Sequence, residues 1–251
     1  MPTPFTHLIK AQQLLDDERL PVAAKGVLLQ ELPSFLLGNV APDAHHMAKD
    51  QGVRRETTHF YHYAPQIDPL ATVKILQDYP QLSATQIQRL DHRVFVAGYL
   101  AHLAIDEIWA TEVVYPFWFG EWGDRQQRHF AFTSLMALLD KRDYERMPSG
   151  FYDLLQRAEP DHWLPFLPDE ALCKWRDVIV DQIRPNGTPQ TLKILGQTVY
   201  SGYQDLADMV NSPQRQEIEL WSHFPKERVA SVEHEAYEHM LRVVCDYLQL
   251  C

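Results

Sequence analysis

The chain has 251 residues, is 45% hydrophobic and 23% charged, and carries a formal net charge of −11. Such a balance suits a globular protein with a sizeable core, and it disfavours nucleic-acid binding through a broad basic surface. Phosphoester substrates stay open to an acidic chain, because a bound cation reverses the local potential.

Cys173, Cys245 and Cys251 form no CxxC pair and read as reduced thiols. The twelve histidines are more informative, since neutral imidazole is the commonest metal ligand. Residues 1–20 lack the basic start and unbroken apolar run of a signal peptide. No run reaches the roughly eighteen apolar residues of a membrane helix, and the expected location is the cytoplasm.

In chain order, Thr3-Pro4 predicts a helix start, with Phe5, Leu8, Ile9 and Leu15 at helical spacing and His7 in the first two turns. A second helix is expected over 21–37, stopping at Gly38. Asn39 to His46 reads as a loop in which Asp43, directly after Pro42, can point back into a pocket, or equally cap a helix or form a turn. Residues 49–56 read as a surface loop leading to the cluster Thr58-His59-Phe60-Tyr61-His62-Tyr63. Helices are expected over 68–78 and 83–111, the latter opened by a Ser83/Gln86 capping box. The aromatic stretch from Tyr115 to Trp122 is expected to break that helix and lid something apolar. Further helices are expected over 124–141, 150–157, 169–182, 189–209, 213–222 and 226–250. With no alternating strand pattern, repeat or flexible linker, the expected fold is all-α, a single domain over residues 1–251.

The chemistry gathers on His102 and Asp106, four apart and so on one helix face. From this spacing alone, a metal-ligand pair and a buried, hydrogen-bonded structural pair fit equally well. His7, Asp43 and His59 complete a set of three imidazoles and two carboxylates, which suits zinc rather than calcium or magnesium. Taken singly, His7 also fits a surface histidine and His59 a core-edge one. His45, His46 and His62 are expected on the rim, with His46 or His62 supporting the ligands from behind. Asp91-His92 reverses the His-Asp order of HD-type phosphohydrolases and reads as solvated helix surface. Glu233, Glu235 and Glu238 read as an exposed helix face.

Three segments carry a resemblance: Phe35-Leu-Leu-Gly38-Asn-Val-Ala-Pro42-Asp43, then Thr58-His59-Phe60, then Gly98-Tyr-Leu-Ala-His102-Leu-Ala-Ile-Asp106. They resemble the zinc-dependent phospholipase C family, which includes secreted bacterial phospholipases C and the amino-terminal part of glycosylphosphatidylinositol phospholipase D. That family is related in fold to the zinc nucleases of the S1/P1 type. The resemblance spans about residues 1–112 and implies a helical fold with a metal cluster at the bottom of a cleft. By matching motif, Asp43, His59, His102 and Asp106 would ligate one zinc, Asp106 would bridge to a second, and His7 would bind that second metal. A further metal in the secreted enzymes uses a later histidine plus an HxxxE pair, a spacing shared here by His234 and Glu238, with His129 as the third ligand. Those enzymes also use the mature amino terminus as a ligand, which the expected lack of a signal removes here. A one- or two-metal site is therefore preferred within a range of one to three zinc ions, another divalent transition metal being an option.

The implied activity is hydrolysis of phosphate esters, of a lipid or a small molecule, by metal-activated water. Asp43 is the candidate catalytic base. Phe60, Tyr61, Tyr63, Trp109, Phe117, Trp118 and Trp122 would wall the cleft. The alternatives are a nuclease or small-molecule phosphodiesterase on the same scaffold, and a metal-binding structural or interaction protein without turnover.

Overall fold

A computed structural model describes residues 2–249; Cys251 and the expected helix end at residue 250 lie outside the described residues. The fold is all-α, with no strand among the described residues. Helix α1 (Pro4–Asp16) starts where Thr3-Pro4 predicts, although Thr3 makes no side-chain cap bond. The helix expected over 21–37 is two: α2 (Val22–Gln30) and α3 (Leu32–Gly38). Glu31 leaves helical geometry between them at φ −123°, ψ 42°. Pro33 is the cause, because its ring and missing N–H forbid a continuous helix through the preceding turn.

The predicted loop after Gly38 is a 3-10 helix over Ala41–Met47. Within the predicted surface loop, Gly52 turns the chain at φ 79° and α4 (Arg55–His59) forms. Next comes α5 (Ala71–Asp78). The capping box expected at Ser83 does not form, and α6 (Leu90–Trp109) begins seven residues later. Ser83 instead ends a 3-10 turn, its N–H donating to Pro80 O at 3.0 Å, and the next polar residues carry only Ile87 into the core.

The aromatic stretch does not break the long helix. A π turn over Ala110–Val114 carries it into α7 (Tyr115–Phe119), the Tyr115 N–H donating to Ala110 O. The wider turn takes up Pro116, which an ordinary α turn would exclude. Helix α8 (Arg125–Glu145) opens on a complete Asp124/Gln127 capping box. Then follow α9 (Phe151–Gln156) and α10 (Asp169–Ile183). The helix expected over 189–209 is divided into α11 (Thr191–Gly196) and α12 (Gly202–Asn211), the second opening at Gly202, whose φ of 83° a helix interior does not accept. The short α13 (Pro213–Gln216) runs into a π turn, and α14 (Lys226–Leu248) closes the fold.

Helix α6 is central, packing most extensively on α3 and α14. Fifteen of its residues, from Val94 to Trp109, are buried. Glu107 ties three helices: its carboxylate accepts from Thr72 N of α5 at 2.7 Å and meets His239 Nε2 of α14 at 2.6 Å. Asp143 of α8 holds α1, accepting from Thr6 Oγ1 at 2.7 Å, one residue before His7. The Asp91-His92 pair is not solvated surface: His92 is half-buried, stacked on Trp163, with Nε2 2.8 Å from Trp163 O.

Asp140 of α8 is buried and raised to about 6, by burial first and then by the neighbouring Asp143 carboxylate. A carboxyl raised on folding stabilises the fold most below its unfolded value, near 4, and loses that contribution as pH climbs through about 6. Asp140→Asn is therefore expected to raise thermal stability at pH 8, by on the order of 2 kcal/mol, and to change little at pH 4. Unfolding scans at both pH values test this, and an equal effect at both would refute it.

Candidate metal centre

Five side chains from four elements converge beside α6. His102 and Asp106 project from one face of α6, His7 comes from α1, Asp43 from the 3-10 helix and His59 from the last residue of α4. The chain leaves His59 through Phe60 in the left-handed region at φ 64°, which ends α4 at His59. His7, His59, His102 and Asp106 are buried, with side chains no more than 1% exposed, whereas Asp43 is 16% exposed.

His7 Nε2 stands 3.5 Å from Asp106 Oδ1. His59 Nε2 and His102 Nε2 each stand 3.4 Å from Asp106 Oδ2. His59 Nε2 is 3.5 Å from Asp43 Oδ1, and the His7 and His102 rings stack at 3.7 Å. Such gaps are too long for good N–H···O hydrogen bonds. Both nitrogens of His7, the Nε2 of His59 and of His102, and both oxygens of Asp106 are buried without a hydrogen-bond partner. Leaving so many buried polar atoms unsatisfied is costly. Ligands 2.1 Å from a tetrahedral zinc stand about 3.4 Å from one another, which is the spacing found here. The triads His7/His102/Asp106 and Asp43/His59/His102 can each hold a metal ion.

Outside the centre, His102 Nδ1 lies 2.8 Å from Asn39 O. His59 Nδ1 lies 3.3 Å from Arg55 O and 3.0 Å from Thr58 Oγ1. These contacts fix each ring and reserve Nε2 for the interior, as partners behind metal-binding histidines do. Burial and the facing His102 depress His7 to about 4, favouring the neutral, ligating imidazole. Burial pushes the Asp43 and Asp106 carboxyls up, but the surrounding imidazoles overcome it and hold both below the usual carboxylate range. The buried donor set could therefore hold a metal ion.

The three other predicted ligands stay outside. Glu238 is engaged by Arg19 at 2.9–3.0 Å, His234 is exposed, and His129 lies against Trp118 with ring centroids 5.3 Å apart. Glu233 is not free either, since Arg142 holds it at 2.7 Å. His62 is at the surface, its side chain 85% exposed.

Sequence reasoning missed two groups. Arg55, placed in a surface loop, is a part-buried cation on α4, its guanidinium 4.5 and 4.4 Å from the ring centroids of Tyr61 and Tyr63. Its Nη2 donates to Tyr61 Oη at 2.6 Å. His45, expected on the rim, is buried, with Nδ1 3.0 Å from Pro42 O.

A cavity of about 600 Å3 lies beyond Tyr63, lined by Tyr63, Val114, Trp118, Phe119, Arg125 and Phe132. Tyr63 lines this cavity with its ring centroid 4.4 Å from the Arg55 guanidinium. Of the expected aromatic wall, Tyr63 and Trp118 line this cavity. Phe60, Trp109 and Phe117 belong to the core, and Trp122 stacks on His223. No helix among the described residues is long and apolar enough to cross a membrane. The chain matches no family model, no curated protein and no solved structure.

Proposed function

We propose that the protein is a metal-dependent phosphoric-ester hydrolase of the phospholipase C type, acting on a phosphodiester with an apolar portion. The observation that carries the reading is that the Nε2 atoms of His7, His59 and His102, buried without a hydrogen-bond partner, each stand 3.4–3.5 Å from an equally orphaned Asp106 oxygen, the spacing of ligands around one zinc. Asp43, His59, His102 and Asp106 would hold one ion; Asp106 and His7 would face a second. Bound zinc supplies Lewis acidity toward a phosphoryl oxygen and activates water near neutral pH.

The chain's own residues supply the rest. Asp43 is the carboxylate of the pair with solvent access, so it is the one that would orient the attacking water by hydrogen bonding. Arg55 offers a guanidinium beside the centre, suited to a phosphoryl group, and the aromatic cavity beyond Tyr63 suits an acyl or aryl substituent.

The near-complete burial of four of the five side chains favours a second reading, a closed structural metal site without turnover. The two separate in one experiment on tag-free protein: metal per chain by plasma mass spectrometry, together with hydrolysis of bis(p-nitrophenyl) phosphate. Bound zinc with turnover that a chelator abolishes and zinc restores is the expected result. About one ion without turnover favours the structural reading, and no metal after reconstitution refutes both.

A further inference from the structure

We propose that Asp43, His45 and His46 form a second, solvent-facing divalent-cation site at the mouth of the buried centre, with Asp43 shared between the two. The bridging role of Asp43 rests on the buried-centre reading above. One ligand atom from each residue lies within 4.8 Å of the others. The 3-10 helix over Ala41–Met47 is what brings them together. At three residues per turn, Asp43 and His46 stand one above the other, an alignment that an α turn would open.

His45 carries the same mark as the ligands of the buried centre. Its Nδ1 faces the Pro42 carbonyl at 3.0 Å, as His102 Nδ1 faces Asn39 O at 2.8 Å, which leaves Nε2 for a cation. The His45 ring stacks edge-on to His59 at 5.5 Å and lies 4.1 Å from His46, so it sits between the buried set and the surface. His46 is exposed but placed, its ring 5.7 Å from Trp175 of α10. Trp175 Nε1 in turn donates to Val40 O at 2.9 Å and anchors the start of the 3-10 helix.

Two imidazoles and one carboxylate are the three-ligand set of an open zinc site, in which the remaining position belongs to water or an incoming anion. Because Asp43 is the exposed edge of the buried centre, an ion here stands where an oxyanion would arrive. The ligand class it would take is a phosphate or carboxylate oxygen. Having one exposed imidazole and a shared carboxylate, it binds zinc more weakly than the buried set.

Zinc titration of the tag-free full chain, followed by native mass spectrometry, tests this. The wild-type protein is expected to take up tight zinc first and then one weaker equivalent. His46→Ala, at an exposed side chain, and His45→Gln are each expected to weaken that last equivalent at least tenfold while leaving the tight zinc untouched. Wild-type stoichiometry and affinity in both variants would overturn the second site and leave the buried centre standing, as would a wild type with no weaker equivalent. Failure of the wild type to bind any zinc would overturn both.

Discussion

On the proposed zinc reading, Asp106→Asn is expected to weaken zinc binding by at least a hundredfold and to remove most of the stabilisation that zinc would confer. The side chain keeps its shape, but one oxygen becomes a donor and the negative charge is lost. In the native protein the two Asp106 oxygens face His7, His59 and His102 at 3.4–3.5 Å, more partners than any other member of the centre has. Zinc at a thousandfold excess over Kd stabilises a folded protein by about 4 kcal/mol. A hundredfold loss of affinity would remove about 2.8 kcal/mol of that. The diagnostic quantity is the zinc-dependent rise in Tm rather than Tm itself, because Asn also relieves a buried charge in the metal-free protein. His102→Ala should lose zinc equally and leave a cavity besides, which lowers Tm with or without metal. If both variants keep full metal content, these residues are a polar core network and not a metal centre.

How far the centre was legible in the sequence depended on the kind of signal. His102 and Asp106 could be paired because a helix guarantees that residues four apart share a face. The same rule pairs His234 and Glu238 on α14, where His234 is exposed and Glu238 is held by Arg19. Helical spacing states which residues are neighbours, not what the face opposes. His45 was passed over because its value lies in a bond to the Pro42 carbonyl, which exists only once residues 41–47 wind as a 3-10 helix. Arg55 was passed over because a five-residue helix leaves too little periodicity to find.

Helix limits followed the same division. Ser83 and Asp124 both begin a capping-box pattern, yet only Asp124 completes it, with Gln127 N donating to Asp124 Oδ1 at 2.8 Å. At Ser83 the preceding turn and the burial of Ile87 take precedence. Pro33, Pro116 and Gly202 each altered a predicted limit by a backbone restriction that hydrophobic pattern alone does not express. The all-α class was easier, since it needed only the absence of alternating strands over many segments.

The backbone approach beneath the centre leads to the second large effect: Gly98→Ala should destabilise the protein by about 3 kcal/mol. Helices α3 and α6 cross at Gly38 and Gly98. A Cβ on Gly98 would run into Phe35 O and lie 3.0 Å from Asn39 N, and one on Gly38 would lie 2.9 Å from Gly98 Cα. The obstacles are backbone atoms, which cannot rotate away. Alanine gains about 1 kcal/mol over glycine in a helix interior, so the clash outweighs the gain and sets the sign. The displaced segment contains Asn39, whose carbonyl orients His102 one turn beyond Gly98, so zinc affinity should fall together with Tm. Gly26 in α2 supplies the control, because a Cβ there meets nothing within 4 Å. Gly26→Ala should stabilise by up to about 1 kcal/mol and leave zinc binding unchanged. Thermal unfolding of both variants, with and without zinc, decides the matter. A Gly98→Ala protein as stable as Gly26→Ala would mean that α3 can recede from α6 at little cost, and that the close crossing does not hold the ligands in place.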